Sequence, residues 1–257
     1  MKVLVLGASG ATGKLVVEQL IKRKVSTRIL IRESSVVPKE ILENPLVETV
    51  KGNINELKPT KMKNLILDCD AIVSCLGHNM SLKGMFGQPR YLVFDALKNI
   101  HETAKNSTNK KIKIILMSTT GYTNAVSGEK NSIGERIILA ILKLLLPPHR
   151  DNMKAANFLI NDISKHDEQI EWVAVRPDTL INNDLVSPYE ICASPVRSPI
   201  FNAGKTSRMN VSHFMAELIT DETLWKKWLY KTPVIYNNDV GADAEQEIEY
   251  MENATLR

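Results

Sequence analysis

The 257-residue chain is long enough for one large α/β domain or two small ones, and its composition (44% hydrophobic, 24% charged) is ordinary for a soluble globular protein. The net charge of +4 is too small to indicate nucleic-acid binding, although it suits an anionic cofactor. The three cysteines are odd in number and lack the spacing of a metal site, which predicts no metal and a reduced, cytoplasmic protein.

Two features of the sequence bear on membranes. No secretory signal precedes the first predicted strand, because glycines interrupt its apolar run after residue 6. The most apolar later stretch, Ile137–Leu146, has ten residues including one lysine, too few to span a bilayer. A membrane or partner contact is one interpretation of this stretch, and burial against the rest of the fold is the favoured one.

The chain begins with a strand, a glycine-rich turn and a helix. Residues 2–6 are an apolar run typical of a buried strand, and an apolar pattern of helical period begins at Thr12. Gly7 would allow a sharp turn, Gly10 would let the backbone approach a pyrophosphate, and Gly13 would let the helix pack close to the sheet. The amino terminus of the helix would offer unpaired N–H groups and a positive dipole end to the phosphates. A tight turn with nothing bound is the alternative. We assign these residues to cofactor binding: Gly7, Ser9, Gly10, Ala11, Thr12 and Gly13.

The spacing of these glycines is Gly-x-x-Gly-x-x-Gly, which differs from the Gly-x-Gly-x-x-Gly of common dehydrogenases. It resembles the spacing found in the extended and atypical short-chain dehydrogenase/reductase superfamily. This resemblance implies a single domain that binds a nicotinamide dinucleotide.

The second predicted strand, Thr27–Ile31, is followed by Arg32. In NAD-binding folds of this type an acidic residue at this strand end hydrogen-bonds the ribose hydroxyls, whereas a guanidinium matches a 2′-phosphate by charge and shape. Arg32 and Ser35 are therefore predicted to contact the cofactor, and NADP is favoured over NAD. A merely exposed arginine is the alternative, and the neighbouring Glu33 weakens the preference.

The third and fourth predicted strands, Leu46–Val50 and Asp70–Cys75, are followed by further candidates. In the resembling superfamily an acidic or amide residue and then an aliphatic one contact the adenine, which implies Asn53 and Ile54 here. A plain turn explains these two residues equally well. Gly77 lies where the backbone would pass close to a cofactor at the carboxyl end of a parallel strand. The residues assigned to the cofactor at this strand end are Cys75, Leu76 and Gly77.

A loop, a helix and the fifth strand come next. The glycine-rich segment Asn79–Pro89 has the composition of an ordered or lid-like loop, and Tyr91–Lys105 shows helical spacing. The fifth predicted strand, Ile112–Met117, runs into Ser118, and Tyr122 follows shortly after. In a doubly wound sheet, hydroxyls at this strand end would point at the nicotinamide, so both residues are candidates for catalysis. A polar loop start is the alternative.

Strands and helices continue to alternate in the second half. The predicted elements are a helix that ends at Leu146, the helix His149–Lys165, the strand Glu171–Val175, the helix Val211–Ile219 and the strand Pro233–Tyr236. This alternation predicts an α/β fold with a Rossmann-type, doubly wound parallel sheet in one domain, residues 1–240. The weakly patterned region at about 178–230 is typical of substrate-side elements without a core of their own, and 241–257 is predicted to be an acidic tail.

The catalytic tyrosine of the main short-chain reductases is missing. Those enzymes carry a Tyr-x-x-x-Lys pair on the helix after strand five, where the lysine lowers the pKa of the tyrosine. No tyrosine of this chain has a lysine four residues later. The helix expected to carry the pair has Arg150 and Lys154, and an arginine stays protonated and cannot donate the proton. Lys154 is a further candidate for catalysis and is predicted to hydrogen-bond the nicotinamide ribose, with an exposed helix lysine as the alternative.

The whole pattern resembles the atypical short-chain subgroup that includes NmrA-like proteins and the biliverdin-IXβ (flavin) reductases. The resemblance covers nearly the whole chain and is carried by residues 7–13, 31–35, 118–119, 173–177 and 207–211. In the flavin-reductase branch the serine that matches Ser118 contacts the nicotinamide or the substrate, and Tyr-x-x-x-Lys is absent as it is here. Pro177, at the end of the fourth motif, is assigned to cofactor binding, as are Ser118 and Lys154.

Two functions agree with these features. The favoured one is an NADPH-dependent oxidoreductase that passes hydride to a planar acceptor such as a flavin or quinone, with a proton from solvent, Ser118 or Tyr122. His78 is a further candidate for the proton, although a lone histidine on a glycine-rich loop is more often solvated. The alternative is a non-catalytic NADP-binding redox sensor of the NmrA-like type, which acts through a protein partner. Sugar epimerases and dehydratases need the tyrosine and are disfavoured.

Overall fold

A computed structural model describes residues 1–78, 87–107, 110–163 and 165–238 of the chain. The predicted acidic tail at 241–257 and residues 79–86 of the predicted loop lie outside the described residues. The strands are β1 (Lys2–Leu6), β2 (Ser26–Ile31), β3 (Val47–Lys51), β4 (Ala71–Ser74), β5 (Ile112–Met117), β6 (Ile170–Pro177), β7 (Thr179–Ile181), β8 (Tyr189–Cys192), β9 (Lys205–Ser207) and β10 (Val234–Asn237).

The helices alternate with these strands. They are α1 (Ala11–Lys22), α2 (Lys39–Leu42), α3 (Pro59–Ile66), α4 (Leu92–Ser107), α5 (Ile133–Leu145), α6 (Pro147–Asn157), α7 (Arg208–Thr220) and α8 (Glu222–Trp228). Helix α6 continues into a π-helical turn, Phe158–Asp162, and short 3₁₀ turns occur at Ile54–Glu56 and Ala125–Ser127. Within the described residues, no helix has the length and hydrophobicity needed to cross a bilayer.

The main sheet confirms the predicted doubly wound architecture. Its strand order is β3-β2-β1-β4-β5-β6-β10-β8, and every neighbouring pair is parallel except β10 with β8. The order reverses at β1, because the chain first builds outward to β3 and then returns to place β4 on the other side of β1. Doubly wound folds bind ligands in the crevice beyond the carboxyl ends of the strands at such a reversal. The antiparallel β8 departs from the predicted parallel sheet, since four residues at an edge give no recognisable pattern.

Strand β1 is buried on both faces, which explains its continuous apolar sequence. Val3 and Val5 pack into the core beneath α1 and α7, whereas Leu4 and Leu6 pack into the opposite core with α3, α4 and α6. Helix α7, in the region after residue 178, thus contributes to the main core. Helix α7 begins at the cap Ser207, whose hydroxyl accepts a hydrogen bond from Asn210 N (2.9 Å), and it packs along α1.

The prediction that the apolar helix around Ile137–Leu146 is buried was wrong. Helix α5 lies off the sheet and packs against α6, so that only one side of it is covered. Of its residues only Glu135 and Leu139 are buried, and most of its large apolar side chains face solvent.

Candidate functional site

A cleft of about 450 Å³ lies at the carboxyl edge of the sheet, where the strand order reverses. Four successive strand ends, those of β1 to β4, form it. Its lining includes these residues predicted from the sequence: Gly7, Ser9, Gly10, Arg32, Ser35, Asn53, Ile54, Cys75, Leu76 and Gly77. It also includes residues that the sequence did not single out: Leu6, Leu30, Ile31, Ser34, Val36, Gly52, Gln88, Pro89 and Leu92. Most of these residues contribute backbone atoms or apolar side chains to the cleft, and they belong to no recognisable sequence motif.

The glycine turn has the geometry that its spacing predicts. Gly7 has φ +77°, and a Cβ there would lie 2.5 Å from the carbonyl oxygen of Cys75 on the neighbouring strand end. A Cβ on Gly13 would collide with the carbonyl oxygen of Gly7. Only glycine therefore lets the turn leave β1 at this angle and bring α1 against it. Gly10 closes the turn by donating its N–H to Gly7 O (2.9 Å).

The first turn of α1 follows directly on Gly10, which lines the cleft, whereas the predicted residues Ala11, Thr12 and Gly13 are not part of the lining. The first hydrogen bond into the helix runs from Lys14 N to Gly10 O (3.1 Å), so the N–H groups of residues 11–13 have no intrahelical acceptor. No side chain caps this helix, and its first turn contains no acidic residue. Ala11 is exposed, whereas Thr12 and Gly13 are buried beneath it. A pyrophosphate fits the chemistry of this cradle.

Arg32 and Ser35 lie together on the β2 side of the cleft. Ser35 N donates to Arg32 O (3.0 Å), and this turn places Arg32, Ser34 and Ser35 along one wall. The Arg32 side chain is exposed at the rim. One guanidinium and two hydroxyl groups here match the needs of a phosphate monoester.

The ends of β3 and β4 supply the floor of the cleft. Ile54 is buried, and the Asn53 amide donates to Glu56 Oε1 (2.7 Å), which fixes the Asn53 side chain at the cleft wall. Cys75 is also buried, and burial raises the pKa of its thiol to about 12, so it is a neutral wall and not a nucleophile. A Cβ on Gly77 would meet nothing within 4 Å, which leaves open space in front of the backbone there.

His78 and Asp151 form a buried pair beside the cleft. The His78 side chain is 5% exposed and lines the cleft, and its Nε2 lies 2.9 Å from Oδ2 of the fully buried Asp151. The expectation that His78 is solvated was wrong. The Asp151 carboxylate also accepts the backbone N–H groups of Val93 (2.8 Å) and Phe94 (3.0 Å) at the start of α4. No sequence pattern singles out Asp151, which lies next to Arg150.

Ser118 and Tyr122 lie beyond β5 and do not line this cleft. Ser118 is buried, its N–H donates to Val175 O (2.7 Å), and its hydroxyl has no hydrogen-bond partner among the described residues. Tyr122 donates its hydroxyl to Asn157 Oδ1 (3.0 Å), and burial raises the pKa of the phenol. The Tyr122 phenol is thus already engaged with α6, whereas the Ser118 hydroxyl has hydrogen-bonding capacity to spare.

Lys154 also lies outside the cleft. Its side chain is exposed, and its Nζ sits 4.3 Å from the centre of the Tyr91 ring and 3.9 Å from that of Phe94. These cation–π contacts hold the amine against the start of α4. The structure therefore does not bring Lys154 together with the cleft residues.

Pro177 is buried at the end of β6, where its carbonyl accepts from Thr120 N (3.2 Å), and it does not line the cleft. The preceding Arg176 is fully buried and forms a salt bridge with Glu129 (2.6 Å) while donating to the carbonyl oxygens of Tyr122 and Thr232. This motif therefore ties the loop after β5 to β6. Among the described residues, no cluster of histidine, cysteine and acidic side chains could hold a metal ion.

A second pocket, of about 630 Å³, lies between α5 and the loop after β5. Gly121, Thr123 and Met153 line one side, and apolar residues of α5, among them Ile137 and Leu139, line the other. The pocket is mostly apolar and open, which suits a flat hydrophobic molecule.

Comparisons with known proteins agree with this geometry. A family model described as NAD(P)H-binding matches residues 7–222 of the chain. No curated protein sequence matches it. A short-chain dehydrogenase/reductase (wide type) from Veillonella parvula, solved in complex with NADP, is 13% identical with a TM-score of 0.64, covering 92% of this chain and 94% of that one.

Two further solved structures have the same fold. A candidate NADH-flavin reductase from Streptococcus pneumoniae is 13% identical with a TM-score of 0.64, over 93% of this chain and 100% of that one. The anaerobilin reductase ChuY from Escherichia coli is 15% identical with a TM-score of 0.64, over 93% and 98%. These likenesses confirm the predicted fold of the short-chain dehydrogenase/reductase structures.

Proposed function

Because the chain belongs to the NAD(P)H-binding family, we propose that it is an NADPH-dependent reductase that passes hydride to a planar acceptor such as a flavin or quinone. The observation that carries this proposal is one cleft lined both by a phosphate-suited wall at Arg32 and by His78 of the buried His78–Asp151 pair. The first feature suits NADPH, and the second suits a reaction that consumes a proton.

Different groups of the described residues suit different parts of the cofactor. The N–H groups at the start of α1 would hold the pyrophosphate, and Arg32 with Ser34 and Ser35 would hold the 2′-phosphate. Asn53 and Ile54 would border the adenine. When bound, NADPH supplies the hydride. The preference for NADP over NAD rests on Arg32, and no acidic side chain is among the described residues that line this wall.

The His78–Asp151 pair is proposed to supply the proton. The Nε2 atom of His78 lies 2.9 Å from Oδ2 of Asp151, and two backbone N–H groups hold this carboxylate in place, so the imidazole has a fixed position at the cleft. Addition of a hydride to a flavin or quinone leaves a negative charge on the ring system, and one proton from His78 neutralises it. Solvent then returns a proton to the imidazole. This assigns to His78 the part that the missing tyrosine plays in other short-chain reductases.

Two structural relatives support the class of acceptor. The Streptococcus pneumoniae protein carries the description NADH-flavin reductase and ChuY that of an anaerobilin reductase, so both descriptions name acceptors with conjugated ring systems. The open apolar pocket beside Gly121 and Met153 is the proposed place for such a ring in this chain. The unpartnered hydroxyl of Ser118 is proposed to donate to a polar edge of the acceptor or nicotinamide.

The test is the loss of NADPH absorbance by the purified protein with FMN, riboflavin and a series of quinones, with NADPH affinity measured by fluorescence. We expect turnover with at least one acceptor and tighter binding of NADPH than of NADH. Tight NADPH binding without oxidation by any acceptor would contradict the reductase and favour the redox sensor. Failure to bind either nucleotide would contradict both.

A further inference from the structure

Helix α5 carries a continuous apolar stripe that nothing in the described structure covers. The stripe follows a spacing of four, four and three residues, which places its members on one face of the helix. The exposed fractions are 76% for Ile133, 57% for Ile137, 48% for Ile141, 72% for Leu144 and 58% for Leu145. Isolated exposed apolar residues are ordinary, but a contiguous row of this kind marks an interaction surface.

Phe201 extends the stripe at the amino end of α5. Its ring is 64% exposed and packs against Gly134, where a Cβ would lie 3.2 Å from the Phe201 Cζ atom. The helix itself is well fixed at this end. Ser132 and Glu135 form a capping box, in which Ser132 N donates to Glu135 Oε2 (2.7 Å) and Glu135 N donates to Ser132 Oγ (3.3 Å).

The charges around the stripe are strongly asymmetric. Between residues 129 and 154 the sequence has five lysines and arginines and three acidic residues. All five basic side chains are exposed, and they are Lys130, Arg136, Lys143, Arg150 and Lys154. The outward-facing charge of this segment is therefore entirely positive.

The three acidic residues of the segment all point inward. Glu129 is 7% exposed and paired with Arg176, and Glu135 is buried in the capping box. Hydrogen bonds from the Ser198 and Ser132 hydroxyls and from the Ser132 backbone hold the pKa of Glu135 below its usual value. Asp151 is fully buried against His78. None of these carboxylates is available to neutralise the surface.

Basic and apolar groups are also interleaved at the carboxyl end of α5. A shallow pocket there is lined by Leu144, Leu145 and Pro147 together with Arg90 and Arg150. Such a mixture of aliphatic side chains and cationic groups matches the boundary between lipid acyl chains and phosphate headgroups.

From these observations we infer that α5 docks on an anionic phospholipid bilayer, lying in the plane of the surface with its stripe among the acyl chains. The helix has 13 residues, so it is suited to lie in the interface and too short to span it. A second copy of the chain is a poorer occupant, because a symmetric pairing of two α5 faces would bring Arg136 and Lys143 of both copies close together. Anionic headgroups complement these charges.

The test is co-sedimentation of the full chain with phosphatidylcholine vesicles, with and without phosphatidylserine. Binding is expected only to the anionic vesicles and should weaken as salt is added. Two variants probe the surface, Ile137→Gln/Ile141→Gln/Leu144→Gln for the stripe and Arg136→Glu/Lys143→Glu for its charge. Each should lower vesicle affinity more than about tenfold. The matched control is Leu67→Gln, which replaces an exposed leucine (46%) at the end of α3, next to the amino end of β4.

Several outcomes would overturn the inference. One is an equal loss of vesicle affinity in the Leu67→Gln control. Others are binding of the full chain to neutral vesicles alone, or to no vesicles at all. The last is a stable dimer in solution that the stripe variant dissociates. NADPH affinity is measured on every variant, because an unchanged affinity shows that the variant is folded and that its cofactor cleft is intact. Loss of vesicle binding with intact NADPH affinity, and the reverse outcome, can therefore be told apart.

Discussion

The Nε2 atom of His78 lies 2.9 Å from Oδ2 of Asp151, and the two side chains are 5% and 0% exposed. They are 73 residues apart in sequence and meet because α6 packs against the amino end of α4, where Asp151 binds the N–H groups of Val93 and Phe94. One carboxylate thus fixes a helix terminus and orients an imidazole at the cleft.

We predict that His78→Gln lowers kcat about 100-fold, the scale of a lost general acid, while the Kd for NADPH changes less than about twofold. The matched control is His101→Gln, since His101 pairs with Asp167 (2.8 Å) in the same manner but does not line the cleft. An unchanged kcat in His78→Gln would mean that solvent supplies the proton.

Arg32→Glu should weaken NADPH binding by roughly 10- to 100-fold and NADH binding far less, because only NADPH carries the phosphate that the guanidinium would pair with. Titration of intrinsic or cofactor fluorescence measures both affinities. Arg136→Glu makes the same charge change on α5 and should leave both affinities unchanged. Equal losses for the two nucleotides would remove the 2′-phosphate role from Arg32.

Ser118→Ala should lower kcat about tenfold with little effect on NADPH affinity, the scale of one lost hydrogen bond to the reacting ring system. The free energy of unfolding should hardly change, since the Ser118 hydroxyl has no partner among the described residues. Ser74→Ala is the control, because the Ser74 hydroxyl is buried without a partner in the same way. Steady-state kinetics and urea unfolding are measured on both variants. Equal kcat values for Ser118→Ala and Ser74→Ala would mean that Ser118 has no specific part in the reaction.

Gly7→Ala should destabilise the fold and abolish nucleotide binding. Gly7 and Gly128 both have positive φ, +77° and +81°, so alanine at either position carries a backbone cost of about 1–2 kcal/mol. Only at Gly7 would the new Cβ meet another group, the Cys75 carbonyl oxygen, whereas at Gly128 nothing lies within 4 Å. Urea unfolding should therefore show a larger loss for Gly7→Ala. Equal losses would mean that the turn relaxes around the methyl group.

The sequence by itself determined the strand–turn–helix unit, the doubly wound parallel sheet and most of the residues that line the cleft. These are local properties: the burial of β1 on both faces is visible in its apolar run, and the need for glycine at Gly7 and Gly13 follows from the turn. Once the parallel sheet is predicted, residues after successive strands must meet at one edge. Arg32, Asn53 and Gly77 accordingly line the same cleft.

Only the tertiary structure decided which side chains face one another across distant helices. His78 was expected to be a solvated loop residue, but α6 places Asp151 next to it. Lys154 was expected at the ribose, but its amine lies over the rings of Tyr91 and Phe94 instead. The apolar pattern of α5 could not reveal its exposure, because the same periodicity serves a buried face and an unpartnered one. Periodicity and turn chemistry act over a few residues, whereas burial and pairing depend on what the fold places opposite.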